Sequence, residues 1–349
     1  KSNYKKMKIL FLSDDFPPNS FGGTGIVAHD LAIGLHVKNH DVFIITTVRK
    51  KSEEEKIEIE GLKIYKIYSN YNKKWCAWLS LYNPKTVKKV KKIIRQISPD
   101  IVHVHNIHYH LSYYCLKLAK KYSKAVFLTA HNIMLVHYGK LMFTRRNFNE
   151  SGIKKYKISI LDQIKEAGKG YNPFRNLIIR HYLKYVDKIF TVSNELKNVL
   201  EINKIKNIET IYNGIDVGEW RTEDDVVKKF KEQHHLFNKK VVLFGGRVSV
   251  AKGGDTILKA MVSIIKEFNN VVLLVAGKDD FFIPRMIELS QKFKIKDNIV
   301  FLGWLDRKQM RIVYSVSDIS VVPSICFDSF PTANLESMAS SKPVVGTCF

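Results

Sequence analysis

Short Val/Ile-rich runs alternate with amphipathic stretches along the whole chain. This alternation limits the possible fold more than any other feature. "KILFLS" (8–13), "DVFIITT" (41–47), "DIVHVHN" (100–106), "AVFLTAHN" (125–132), "DKIFTVS" (187–193) and "IETIYNG" (208–214) read as strands. Residues 25–39 read as a helix with Ile26, Leu31 and Leu35 on one side. Residues 84–97 read as a second helix, with Val87, Val90, Ile94 and Ile97 as an apolar stripe against a lysine face. Strands that are apolar at nearly every position need cover on both faces, and alternation with helices sets them parallel. A charged stretch, 219–240, interrupts the pattern, which then restarts. Strands are expected at 240–247, 270–277, 298–304 and 318–324, with helices at 253–268, 284–293, 307–317 and 333–340. The 349 residues therefore predict an α/β protein of two doubly wound, Rossmann-like domains, 1–215 and 241–349, joined by a hinge or connector at 216–240. Ligands in such sheets lie beyond the C-terminal strand ends, and the cleft between two facing domains is the expected site.

Composition excludes several alternatives. No segment approaches the ~20 consecutive apolar residues that cross a bilayer. The run after "KSNYKKM" is too short for a signal-peptide core and reads as the first strand, with Met7 a candidate start. Cys76, Cys115, Cys326 and Cys348 form no Cys-x-x-Cys pair, which argues against structural zinc and a disulfide framework and fits a reducing cytoplasm. The formal net charge of +24 suggests phosphate-bearing partners. A Lys-, Ile- and Asn-rich composition from an AT-rich genome is an equal account of it. No nucleic-acid-binding module is recognised.

Several residues could carry chemistry. "FGGTG" (21–25) follows the first strand and opens a helix, where glycine lets backbone approach a ligand and the helix terminus favours anions. A plain tight turn explains it equally, and it is not the dinucleotide fingerprint. "GGRVSVAKGG" (245–254) sets Arg247 and Lys252 around a strand end and a helix start, a pattern suited to a diphosphate or to two solvated cations. "DIVHVHNIHYH" (100–110) holds His103, His105, His108 and His110. No Cys or Glu joins them as a metal ligand, and a polar strand end facing the cleft is the better reading. His131 ends the next strand. Asp328 precedes the last helix and Glu336 lies within it. The pair could be a dipole-stabilised acid plus a surface glutamate. It also suits the carboxylates of a glycoside hydrolase, or hydroxyl recognition on a nucleotide sugar beside a phosphate site.

Taken together, the chain resembles GT-B fold glycosyltransferases, specifically the retaining family 4 (glycosyltransferase group 1). The marks run from about Lys8 to the end: "LSDDFPPNSFGGTGIVAHDLAIGL", "DIVHVHN", "LTAHN", "FTVSNELKNVL", "IYNGID", "GGRVSVAKGGDTILKA", "VAGKDD", "FLGWL" and "VVPSICFDSFPTANLESMASSKPVVG". The resemblance implies a nucleotide-diphosphate sugar (UDP-, GDP- or ADP-linked) in the interdomain cleft, with no cofactor and no metal. It implies that Arg247 and Lys252 bind and stabilise the diphosphate leaving group. Gly22 and Gly23 would approach the donor through backbone, and groups near Phe330 and Pro331 would place sugar and phosphate. Glu336 would hold the ribose, Asp328 the sugar hydroxyls, and His131 would stand beside the reacting sugar. The acceptor, a glycan or lipid-linked hydroxyl, would enter near His105 and Asn106.

Two departures from the family pattern stand out. The first acid is usually Glu and is here Asp328, one methylene shorter. The chain also ends at Phe349, where family members continue, so the C-terminal domain is expected to be incomplete. Alternatives are a non-catalytic GT-B protein that binds a nucleotide or glycan as partner or regulator, and, less favoured, an epimerase or phosphorylase. No lysine in the motifs points to pyridoxal. The resemblance implies work on polysaccharide or cell-envelope glycans. The basic helix 84–97 and the stretch 152–170 suggest a protein at the inner face of an anionic membrane, with simple solvation as the equal alternative.

Overall fold

The computed structural model describes residues 5–18, 22–140, 156–277 and 281–347. These form two compact units, one of residues 5–140 and 156–213 and one of residues 214–347.

In the first unit β1 (Lys8–Leu12) leads through α1 (Gly23–Val37) to β2 (Asp41–Val48), then β3 (Lys56–Ile59) and β4 (Leu62–Tyr68). The short α2 (Cys76–Leu79) and α3 (Pro84–Ile97) precede β5 (Ile101–Val104), and α4 (Tyr114–Tyr122) precedes β6 (Ala125–Ala130). Next come α5 (Ile160–Ala167), α6 (Arg175–Leu183), β7 (Lys188–Thr191), α7 (Asn194–Ile202) and β8 (Ile208–Thr210). The sheet order is β3-β4-β2-β1-β5-β6-β7-β8. The β3–β4 pair is antiparallel and the other neighbours are parallel. That hairpin turns on Glu60 and Gly61, both with positive φ (52° and 76°), as a two-residue primed turn requires.

The stripe expected on α3 is as read: Val87, Val90, Ile94 and Ile97 are buried. On α1 the expectation holds in part: Leu35 packs partly buried against the core. The fully buried positions are Gly25, Ala28 and Ala32, while Leu31 is 39% exposed. Small residues let α1 lie close on Ile9, Phe11, Val42 and Ile44 of the sheet, so close approach rather than side-chain bulk selects its inner face.

The second unit begins with a 3-10 turn at Val217–Trp220 and α8 (Asp224–Gln233), then β9 (Lys240–Gly245), α9 (Gly254–Glu267), β10 (Val271–Ala276) and α10 (Phe282–Lys292). It continues through β11 (Ile299–Gly303), α11 (Arg307–Val316), β12 (Ile319–Val322), α12 (Thr332–Ala339) and β13 (Val344–Gly346). The order is β11-β10-β9-β12-β13, parallel throughout. Strand alternation sorts the core into two. Val242, Phe244, Leu273 and Val275 pack with Ile257 and Met261 of α9. Val241, Leu243, Val272 and Leu274 pack with Val313 and Tyr314 of α11. Apolar content at every strand position is what two covered faces demand.

Residues 216–240, expected as a connector, are part of this unit. Trp220 and Leu236 are 3% and 1% exposed in the second cluster, and Trp220 meets Tyr314 edge-on at 5.5 Å. The charged surface of α8 hides this role, because a stretch this polar shows few apolar residues to a periodicity reading. Trp220→Ala should lower the unfolding free energy of the second unit by about 3–5 kcal/mol, the usual cost of emptying a buried aromatic site. Denaturant unfolding followed by circular dichroism measures it. A loss under about 1 kcal/mol would return the segment to the role of a linker.

Candidate functional site

In each sheet the order of strand addition reverses between two parallel neighbours, β1 and β5 in the first and β9 and β12 in the second. Crevices for ligands open beyond the strand ends at such points. The expected residues fall there. Gly22 and Gly23 start α1 after β1, His105 and Asn106 follow β5, and His131 follows β6. Arg247 and Lys252 follow β9, while Asp328, Phe330, Pro331 and Glu336 follow β12.

In the first unit Gly22 is the N-cap of α1, and among the described residues no side chain caps the helix and a Cβ at Gly22 would meet no atom within 4 Å. The loop after β5 is held by Asp14, which no reading of the sequence had assigned. Its buried carboxylate accepts backbone N–H bonds from Tyr109 (2.8 Å), His110 (3.0 Å) and Leu111 (2.7 Å). Burial pushes the Asp14 carboxyl up to about 6 despite these bonds. The histidines form a stack. The His103 and His105 rings lie 4.4 Å apart, and His105 Nδ1 shares a hydrogen bond with His131 Nε2 at 2.9 Å. His105 and Asn106 are each 2% exposed. Their Nε2 and Oδ1 atoms are buried without a hydrogen-bond partner among the described residues. Burial holds the imidazoles neutral, with His103 lowered to about 4 and His131 to about 3, the latter also repelled by His103. His105, expected on the acceptor side, thus holds the ring of His131 through this bond and a stacked contact at 5.1 Å.

In the second unit the loop after β9 crosses the loop after β12 in close contact. Gly253 has φ +81°, and a Cβ there would lie 1.7 Å from the Pro323 carbonyl oxygen. The Ile325 N–H bonds the Ala251 carbonyl at 2.9 Å. This crossing brings Lys252 to Asp328, whose Oδ2 takes an ion pair from Lys252 Nζ and a hydrogen bond from Ser324 Oγ at 3.3 Å. The pairing was not foreseen from the motifs. Gly253 caps α9 without a side-chain hydrogen bond, and the first-turn acid, Asp255, is paired with Arg285, so the helix terminus still offers N–H groups to an anion. Arg247 is exposed on the same loop. Glu336 accepts a hydrogen bond from Tyr314 Oη at 3.0 Å. Burial first, and then Glu336, raise the Tyr314 hydroxyl well above its usual range, so it stays a donor. Asn19, Ser20 and Phe21 of the first motif, Lys278, Asp279 and Asp280 of "VAGKDD", and Cys348 lie outside the described residues.

Paired doubly wound sheets, with glycine and charge gathered at the strand ends, define a protein of the GT-B class. Two family models match the chain, Glycosyltransferase Family 4 over residues 21–219 and Glycosyl transferases group 1 over residues 226–348. The chain belongs to this glycosyltransferase family and is a glycosyltransferase. It is 25% identical over 352 residues to an uncharacterized glycosyltransferase, MJ1607, of Methanocaldococcus jannaschii, covering 97% of this chain and 80% of that one. It is 24% identical to N-acetyl-alpha-D-glucosaminyl L-malate synthase of Bacillus anthracis, covering 94% of this chain and 76% of that one. Among solved structures, sucrose-phosphate synthase from Thermosynechococcus elongatus matches with a TM-score of 0.73 at 20% identity, over 98% of this chain and 81% of that one. Anabaena Alr3699/HepE, solved in complex with UDP and glucose, matches with 0.68 at 15% identity, over 97% and 80%.

The neutral histidines make a pH prediction. Between pH 6.5 and about 4 the unfolded chain binds protons that the folded stack refuses. Each such imidazole then removes about 1.4 kcal/mol of stability per pH unit as pH falls. Asp14 works oppositely, because its raised carboxyl binds a proton in the folded state between pH 6 and 3.8. One carboxyl opposes His103, His110 and His131, all lowered to about 3 or 4, so the histidines win. Stability by urea unfolding should fall between pH 7 and pH 5, and His131→Gln should flatten that fall. An equal slope in the variant would contradict the assignment. Gly253→Ala should unfold or loosen the second unit, seen as a lowered melting temperature. Ala at open Gly22, where φ is −108°, should be nearly neutral for folding.

Proposed function

We propose that the protein moves a sugar from a nucleoside diphosphate sugar to a hydroxyl of a glycan or lipid-linked acceptor, with retention of configuration and without a metal. The Lys252–Asp328 pair at the crossing of the two loops carries this reading. It puts a cation and a carboxylate side by side at a helix terminus that has no side-chain cap. A diphosphate needs the first and a sugar hydroxyl the second.

In this reading the second unit holds the donor. Lys252, Arg247 and the N–H groups of α9 take the diphosphate. Glu336, steadied by Tyr314, takes the ribose hydroxyls, and backbone near Phe330 and Pro331 orients the sugar. The first unit takes the acceptor and offers His131 and the glycine turn at Gly22 and Gly23. As the bond from the anomeric carbon to phosphate breaks, the sugar becomes cationic and the diphosphate gains charge. Cations that meet this growing charge lower the barrier more than they stabilise the bound donor. No protein nucleophile is assigned. The structural neighbour solved with UDP and glucose supports a UDP-sugar as the first donor to try. The synthase from Bacillus anthracis supports an N-acetylglucosaminyl donor as the second.

A panel of UDP-, GDP- and ADP-sugars, screened by thermal shift and by slow donor hydrolysis, tests the reading. At least one donor should raise the melting temperature and be hydrolysed in the presence of EDTA. Lys252→Ala should lower kcat about 10²- to 10³-fold, the range seen when one donor to a developing charge is removed. Glu336→Gln should act mainly on KM. Silence towards every donor, or activity abolished by EDTA, would overturn the proposal. Transfer to an acceptor with inverted product stereochemistry would remove the retaining part alone.

A further inference from the structure

The net charge is not spread over the chain. Residues 1–213 hold 38 Lys and Arg against 17 Asp and Glu, whereas residues 214–349 hold 19 against 16. A genome-wide lysine bias would load both parts alike, so composition does not account for the excess. Within the first unit the charge is concentrated again. Helices α3, α4 and α6 together carry eleven Lys or Arg and no Asp or Glu.

These helices form one layer. α3 lies against α4, and α4 against α6. Tyr82, Tyr114 and Tyr182 join them edge to face at 4.9 and 5.8 Å. Lys89 and Lys120 are paired with Glu54 and Asp187. Lys88, Lys91, Lys92 and Arg95 line a shallow groove and have no acidic partner among the described residues. Beside this basic face stand exposed apolar side chains. Trp75 and Trp78 flank or lie on α2, Phe174 and Leu177 belong to the start of α6, and Ile160, Leu161 and Ile164 lie on α5. Hydrogen bonds tie these segments together: Asn172 Nδ2 to the Ala77 carbonyl at 3.3 Å, and Asn176 Nδ2 to Gln163 Oε1 at 2.8 Å. Lys73, Lys74, Lys165 and Lys169 are interspersed with them. Of the stretch 152–170, residues 152–155 lie outside the described residues.

We propose that this face of the first unit, from α3 to α5, docks on an anionic lipid bilayer. Lysines would meet lipid phosphates while the tryptophans, Phe174 and the α5 aliphatics enter the headgroup boundary. A soluble polyanion would satisfy the lysines and leave the apolar groups in water, which favours the bilayer. The inference stands independently of the donor reading, since docking needs no nucleotide sugar.

Co-sedimentation with vesicles tests it. The protein should bind phosphatidylcholine vesicles containing about a third phosphatidylglycerol and should ignore pure phosphatidylcholine. Binding should weaken as salt shortens the screening length. Lys91→Ala with Lys92→Ala should weaken it tenfold or more, at about fivefold per lysine. Trp75→Ser with Trp78→Ser should weaken it as well. Circular dichroism checks that both variants fold, and the lysines are fully surface-borne. Failure to bind anionic vesicles at low salt would overturn the proposal. Vesicle binding indifferent to the tryptophans and matched by binding to a single-stranded oligonucleotide would also overturn it, leaving a general polyanion surface.

Discussion

The contact of Gly253 with the Pro323 carbonyl sets the geometry of the second unit's charged loops. A residue with a Cβ cannot stand there, and φ near +81° makes the position costly for any L side chain. Because the two loops cross so closely, Lys252 from one reaches Asp328 from the other. The same crossing gives α9 a glycine cap, which brings no side-chain acceptor of its own to the first turn, where the Gly254 N–H is held by the Ser249 carbonyl. One steric condition thus produces the cation, its carboxylate partner and an anion-seeking helix end in one place.

The first unit meets the equivalent problem with a charge. The loop after β5 has no glycine crossing to shape it. Three successive N–H groups, of Tyr109, His110 and Leu111, converge instead on the buried Asp14. The carboxylate pays a desolvation cost, visible in its raised pKa, and the bonds offset it. Behind this loop the neutral His103, His105 and His131 lie ring against ring. A protonated stack would repel itself, so the burial that keeps it neutral also keeps it assembled.

Much of this architecture was legible in the chain. Period-2 and period-3.6 patterns locate β9, α9, β10 and α3 within a residue or two, because burial on both faces writes itself into consecutive apolar positions. The placement of Arg247, Lys252, Asp328 and Glu336 after strand ends was legible for the same reason. What was hidden depends on tertiary crossing. Nothing local in "CFDSF" says that Asp328 faces Lys252. Nor does Tyr314, one aromatic among many in a helix, announce that its hydroxyl meets Glu336. The Glu60–Gly61 hairpin did carry a local turn signal. The buried face of α1 was legible at Leu35 but not at Gly25, Ala28 and Ala32, because close helix–sheet approach rewards small residues, which a search for bulky stripes passes over.

Asp328 and Glu336 look like a matched pair in the sequence, but they are held in different ways. Glu336 is tied to Tyr314, which meets Trp220 edge-on inside the core, so its position follows the packed core of the second unit. Asp328 is tied to Lys252, a flexible side chain about a quarter exposed. In the proposed reaction Lys252 must turn to the diphosphate, so donor entry exchanges its partner, and Asp328 is left to a sugar hydroxyl and Ser324. An anchored acid suits the constant part of a nucleotide, the ribose. An acid released only when phosphate arrives suits the variable part, and couples sugar recognition to the presence of the leaving group.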